Sequence, residues 1–162
     1  MASYEEINQM LAEIGPEMEV VEISAFEESQ SWLIALDEDT EDALALHCVE
    51  PMGKLVFAVD LGAPPEGKEA KTHEYLLAYN SAWADTDGVR MALDMDSGGI
   101  VQLYDLPLHA LTADLLGSVI GNFLQLMVTM RAIVIEGIGD PQPPGDGHTT
   151  AHGPAPLGEL RV

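Results

Sequence analysis

The sequence predicts an α+β fold in which three helices pack against an antiparallel sheet. Three segments repeat apolar residues every three to four positions, the spacing of a helix face, and the short segments between them alternate apolar and polar residues like half-buried strands. In chain order the elements are one helix, three or four strands, a second helix, a two-stranded hairpin and a third helix. This order is typical of helices gathered on one face of an antiparallel sheet.

The first helix is predicted from its N-terminal cap. Ser3 and Glu6 have the spacing of a capping box, in which each side chain accepts a hydrogen bond from the backbone N–H of the other residue. Gly15 and Pro16 are expected to end the helix. Its apolar face is formed by Ile7, Met10, Leu11 and Ile14.

Four short apolar runs between residues 18 and 60 predict the strands of an antiparallel meander. The alternation is clearest in the third run, at Leu44, Leu46 and Cys48. Neighbouring residues of a strand point to opposite faces, so His47 and Cys48 are not expected to form a catalytic pair. The acidic segment 37–42 lacks the glycine that a calcium loop carries at its sixth position, so we expect a solvated turn.

Two further helices and a hairpin follow. The second helix is predicted at about 68–84 and carries an aromatic stripe at Tyr75, Tyr79 and Trp83. The hairpin turns at 97–99. The last helix, at about 111–135, has only one narrow polar stripe, so it is expected to be covered on more than one side. We predict that residues 1–136 form the domain and that the Pro/Gly-rich residues 137–162 form a disordered tail.

The composition favours a protein that binds other proteins. The 28 acidic and 6 basic residues give a net charge of -22, which repels nucleic acid and anionic membranes. The 47% hydrophobic content excludes a disordered acidic chain. Cys48 is the single cysteine, so no internal disulfide forms, and the chain start does not resemble a signal peptide. The sequence therefore predicts a cytoplasmic protein. The charge-free run 115–130 is shorter than the roughly 20 residues that span a membrane, so no membrane partner is expected.

Residues 62–68 have the spacing of a phosphate-binding loop but not its chemistry. Pro64 and Pro65 remove two backbone N–H donors from a cradle that consists of such donors. Glu66 adds a negative charge where phosphates would lie, and Glu69 replaces the residue that holds magnesium. No catalytic triad, zinc spacing or dinucleotide pattern is present elsewhere. The sequence predicts no enzyme activity, catalytic residue, metal ion or cofactor.

Three motifs resemble those of the class I chaperones of bacterial type III secretion. The chain has the family's strand-end turn, second-helix core and hairpin end at Leu61-Gly62 with Pro64, at Leu76-Leu77 with Asn80, and at Leu106-Pro107-Leu108. The likeness covers residues 4–135. It departs at the end of the last helix, where the family often has an aromatic pair beside a basic residue and this chain has Arg131 without a tryptophan.

The resemblance implies a bacterial, cytoplasmic homodimer that binds the N-terminal region of a secreted effector and holds it extended for export. Apolar pockets beside a sheet edge suit such a segment, and we predict that they are formed by Ile7, Leu11, Ile34, Leu36, Leu44 and Leu46. The alternative for each of these residues is an ordinary place in the core. The family's two-fold interface is formed by the second helix and the hairpin, which implies dimer contacts at Tyr79, Trp83, Met91, Leu93 and Leu103.

Two other functions remain open at this stage. Some relatives of these chaperones are regulators that bind a transcriptional inhibitor in place of an effector. A charge of -22 also suits an acidic mimic of nucleic acid that occupies the binding groove of a basic protein. Mimicry predicts steep salt dependence of binding, whereas capture by apolar pockets predicts little.

Calorimetry with ATP and magnesium is expected to show no heat above dilution, because the segment 62–68 lacks the donors that bind phosphate. Saturable binding that Lys68→Ala abolishes would contradict this prediction.

Overall fold

The structure is a computed structural model that describes residues 1–18, 20–82 and 84–139. Its helices are α1 (Tyr4–Ile14), α2 (Glu69–Ser81) and α3 (Ala113–Glu136), and its strands are β1 (Glu22–Phe26), β2 (Ser31–Ala35), β3 (Ala43–Val49), β4 (Lys54–Asp60), β5 (Arg90–Leu93) and β6 (Ile100–Pro107). The predicted α+β class and element order are confirmed, with four strands before α2. Trp83 and the predicted tail from residue 140 onward lie outside the described residues.

The six strands form one antiparallel sheet with the order β1-β2-β3-β4-β6-β5, so β1 and β5 are its edges. Strand alternation gives the sheet two different faces. The inner face carries a row of large side chains that are paired across four strands, namely Trp32, Leu46, Phe57 and Tyr104. The outer face carries the adjacent row, Leu33, Ala45, Ala58 and Leu103. The core therefore lies on the inner side.

Helix α1 begins at the predicted capping box and packs on the inner face. The Glu6 backbone N–H donates to Ser3 Oγ at 3.3 Å, and the Ser3 N–H donates to Glu6 Oε2 at 2.8 Å. The ring of Tyr4 stacks on Trp32 of β2 with 4.5 Å between centroids. Trp32 Nε1 donates to Asn8 Oδ1 at 3.0 Å, so the buried indole N–H has its partner on the same helix.

Helix α3 lies beside α1 and is buried along one face only. Its buried residues recur at helical spacing, at Leu116, Ile120, Phe123, Met127, Met130 and Val134. Gln102 of β6 holds the middle of the helix, because its Nε2 donates to the Phe123 carbonyl at 2.9 Å. The prediction that α3 is covered on more than one side is wrong for the described chain, since Leu115, Val128 and Ile135 are exposed. The narrow polar stripe predicted the exposed side but not the extent of the cover.

The segment 62–68 packs against the end of α3. Lys68 Nζ donates to the Glu136 carbonyl at 2.7 Å, which places a cation at the negative end of the helix dipole. A Cβ on Gly137 would lie 2.8 Å from Lys68 Cδ and 2.9 Å from Pro65 Cδ, so the two segments are in close contact. The lysine that gave this segment its phosphate-loop spacing therefore caps a helix.

An asparagine side chain closes the β5 edge of the sheet. Asn80, near the end of α2, accepts a hydrogen bond from the Met91 N–H through Oδ1 and donates to the Met91 carbonyl through Nδ2, both at 2.8 Å. The amide thus occupies the place that a further strand would take. Asn80 belongs to the motif that suggested the family, and its structural task is to attach α2 to the edge of the sheet.

Replacing Asn80 with leucine is expected to lower the free energy of unfolding by about 2 kcal/mol, because the backbone N–H and carbonyl of the buried Met91 both lose their partner. Denaturant titration measures this change. Asn122→Leu on the exposed side of α3 is the control and should stay within about 0.5 kcal/mol of the wild type. Equal losses in the two variants would contradict the role given to Asn80.

Candidate partner-binding surfaces

The six residues predicted to bind a partner lie mostly in the core. Five have relative exposures of 1% or less, namely Ile7, Leu11, Ile34, Leu44 and Leu46. Leu36 is half-buried. The physical reason is that α1 packs directly on the inner face of the sheet, where Tyr4 stacks on Trp32, so the five buried residues take the alternative place in the core. A direct contact between these five side chains and a partner has no surface to act through in this structure.

The open edge of the sheet at β1 offers a partner surface whose residues the sequence did not identify. Among the described strands β1 pairs only with β2, so its second side has no strand neighbour. Val21, Phe26 and Leu33 are 47%, 45% and 43% exposed at this end of the sheet. Unpaired backbone beside exposed apolar side chains is the combination that binds an extended segment by strand addition. The apolar pattern of residues 18–60 predicted strands but gave no strand order.

A second apolar surface lies between α2 and β5. We call it the α2–β5 groove, and its apolar lining is formed by Leu76, Leu77, Met91, Ala92, Leu93 and Ile100. Leu77 and Leu93 are 68% and 45% exposed. His73 also lines the groove, and its Nε2 atom is buried without a hydrogen-bond partner in the described residues. The exposed apolar side chains of this groove suit a further protein surface.

The predicted dimer residues divide between the groove and other places. Met91 and Leu93 line the α2–β5 groove, Met91 being buried. Tyr79 is half-buried on α2. Leu103 lies on the outer face of the sheet, since it pairs with Arg90 whereas Met91 pairs with Gln102. Trp83 lies outside the described residues.

The lysines and arginines of the described residues all bind groups within the chain. Lys54 Nζ and Arg90 Nη2 donate to Asp105 at 2.8 and 2.9 Å. Burial raises the pKa of Asp105, but these two hydrogen bonds and charges outweigh that effect and leave its pKa below the usual value. Of the remaining cations, Lys71 pairs with Glu74 and Arg131 pairs with Asp42. Lys68 donates to a carbonyl at the end of α3. Most carboxylates of the described surface therefore have no lysine or arginine beside them.

Arg131 connects the acidic turn to α3. Its Nη1 and Nη2 atoms both donate to the Asp42 carboxylate, and Nη2 also donates to the Asp60 carbonyl. Two parallel hydrogen bonds to one carboxylate are a strong and directional contact. Arg131 thus holds the segment before β3 against the helix.

The described residues contain no group of three or more His, Cys, Asp or Glu side chains arranged for a metal ion. Cys48 is buried and His47 is exposed on the other face of β3, as the alternation predicted. Burial raises the pKa of the Cys48 thiol, and the Glu50 charge adds to this shift. Within the described residues one helix, α3, is long and apolar enough to cross a membrane, and its buried face packs against the sheet and α1.

Residues 9–131 match the Tir chaperone protein (CesT) family, and the chain belongs to that family. The resemblance to type III secretion chaperones is thereby confirmed, and such chaperones are a non-enzymatic class of protein. No curated protein sequence matches the chain.

Solved structures share the fold. A chain of the ExsC–ExsE complex superimposes with a TM-score of 0.68 at 17% identity, covering 83% of this chain and 98% of that one. A chain of the HopA1–SchA chaperone–effector complex gives a TM-score of 0.61 at 18% identity and coverages of 78% and 93%. The heterodimeric ExoU–SpcU complex from the type III secretion system of Pseudomonas aeruginosa gives 0.51 at 20% identity, with coverages of 79% and 97%.

Proposed function

We propose that this protein is a homodimeric chaperone of the bacterial cytoplasm that binds the N-terminal region of a type III secretion effector and keeps it extended for export. The observation that carries this proposal is the difference between the two sheet edges in a member of the CesT family. Asn80 closes the β5 edge, whereas β1 has no strand neighbour beyond β2 in the described chain. An extended client completes the sheet at β1.

The surface around β1 supports burial as well as hydrogen bonding. Ser24 lies opposite Leu33 on the outer face, and its small side chain leaves Leu33 accessible from the edge, where Phe26 is also exposed. A client strand that pairs with β1 brings apolar side chains onto these two residues. Each apolar side chain that is fully removed from water stabilises the complex by roughly 1.5–3 kcal/mol before the ordering of the client is subtracted.

The α2–β5 groove supports the homodimer. A second copy that lays its own Leu77 and Leu93 into this groove buries apolar side chains of both copies. A two-fold interface uses the same patch of both copies, so every contact that buries a side chain occurs twice in the dimer. The groove and the β1 edge lie at opposite ends of the sheet, which leaves both client edges of a dimer accessible.

Light scattering at micromolar concentration is expected to give about twice the 17.4 kDa mass of the chain. Leu77→Glu should give monomers, because the charge is solvated in the monomer and buried in the dimer. Val128→Glu is the matched control, since Val128 is similarly exposed, at 64%, on α3. A wild-type mass near 17.4 kDa would contradict the homodimer.

The secreted protein that co-purifies from the native cytoplasm is expected to have some tens of residues near its N-terminus protected from protease. Leu33→Asp should weaken its capture at least tenfold because Leu33 loses apolar burial, while Val128→Asp should not.

Salt separates this mechanism from acidic mimicry. Raising the salt concentration from 0.1 to 1 M shortens the screening length from about 10 to 3 Å, so a mimic's complex dissociates and an apolar complex persists. Normal capture by Leu33→Asp together with dissociation in 1 M salt would favour the mimic. A partner that controls transcription and is not exported would favour the regulator.

A further inference from the structure

The carboxylates of the chain are distributed unevenly between the two ends of the sheet. Residues 1–53, which form α1 and strands β1 to β3, contain half of the 28 acidic residues and no lysine or arginine. Among the ion pairs of the described residues, one reaches this part of the chain, that of Arg131 with Asp42. The open edge of the sheet therefore lies in the part of the molecule with the strongest uncompensated negative charge.

Carboxylates lie at both ends of β1, on either side of its exposed apolar surface. Glu22, Ser24 and Phe26 share the outer face of the strand, because side chains two positions apart point the same way. Ser24 gives access to Leu33, while the Glu22 carboxylate accepts a 3.4 Å hydrogen bond from the Ser24 hydroxyl. At the other end Phe26 is followed by Glu27 and Glu28 in the turn to β2. An apolar surface is thus bounded by carboxylates at both ends of the strand.

We propose that the segment which occupies the β1 edge is basic, with an apolar side chain over Ser24 and Leu33 and an arginine or lysine two residues away, opposite Glu22 or beside Glu27. This inference rests on the proposed function and specifies the chemistry of the client. Directly opposed side chains of paired strands have Cβ atoms about 4.5–5.5 Å apart, within reach of an ion pair. A neutral or acidic segment places no cation beside these carboxylates, and an acidic one is repelled.

A charge-matched peptide series tests the proposal. The probes are acetylated and amidated heptapeptides, Thr-Arg-Val-Leu-Val-Arg-Thr and the two sequences in which glutamine or glutamate replaces both arginines. Backbone amide chemical shifts of the whole protein report the place and the affinity of binding. We expect the arginine peptide to shift the signals of residues 22–26 and to bind about two- to thirtyfold more tightly than the glutamine peptide, as two exposed ion pairs allow. The glutamate peptide should not bind.

Protein variants separate local charge from net charge. The double variant Glu22→Gln, Glu27→Gln should lose most of the advantage of the arginine peptide. The double variant Glu66→Gln, Asp96→Asn changes the net charge by the same amount at exposed sites outside residues 1–53. It should still bind the arginine peptide more tightly than the glutamine peptide. In 1 M salt the advantage should disappear for every protein, because the ion pairs are screened.

Three results would overturn the proposal. They are equal binding of the arginine and glutamine peptides, no shift at residues 22–26 with millimolar arginine peptide, and equal losses in the two double variants. The proposed chaperone function fails separately, when no secreted protein is captured or when Leu33→Asp captures it normally. If binding at β1 does not depend on charge but the client is still captured, the proposal of a basic segment is refuted and the chaperone function stands.

Discussion

One amide side chain closes one edge of the sheet and thereby determines which edge is left for a partner. A sheet edge carries a row of backbone donors and acceptors that must bind water or another chain. At β5 the Asn80 amide meets the donor and the acceptor of Met91, and α2 covers the strand. At β1 the described chain supplies no such cover. The two ends of the molecule are consequently suited to different tasks, a helix-lined groove at one and strand addition at the other.

The predictions from the sequence succeeded where the information was local. The capping box at Ser3, the alternation at Leu44 and Leu46 and the hairpin at 97–99 are properties of neighbouring residues, and each element formed as expected. The class of protein also followed from motifs whose role is structural. Asn80 is an example, because its spacing from Leu76 and Leu77 suggested the family before its contacts with Met91 explained why that residue type occupies the position.

The placement of the predicted site residues depends on which elements meet, and the sequence pattern does not determine that. Leu11 and Ile34 have the pattern of a pocket lining and equally that of a core, and only the packing of α1 on the sheet distinguishes the two. Leu33 was not selected, since it is the residue of β2 that points away from the core. Leu33 is accessible to a partner strand because β1 lies at the edge of the sheet. That position is a property of the strand order, and the sequence of either strand alone does not determine it. Met91 and Leu93, which were predicted as dimer contacts, line one groove because they belong to the same short strand.

Hydrogen exchange measures directly which sheet edge binds the client. In the free protein the amide of Met91 should already be protected, because Asn80 accepts its hydrogen bond. The amides of β1 that face away from β2 should exchange quickly, since the described chain gives them no partner. Binding of the secreted client should slow exchange within residues 22–26 by at least tenfold and leave Met91 unchanged. Protection that appears at the α2–β5 groove while residues 22–26 exchange as before would contradict strand addition at the open edge.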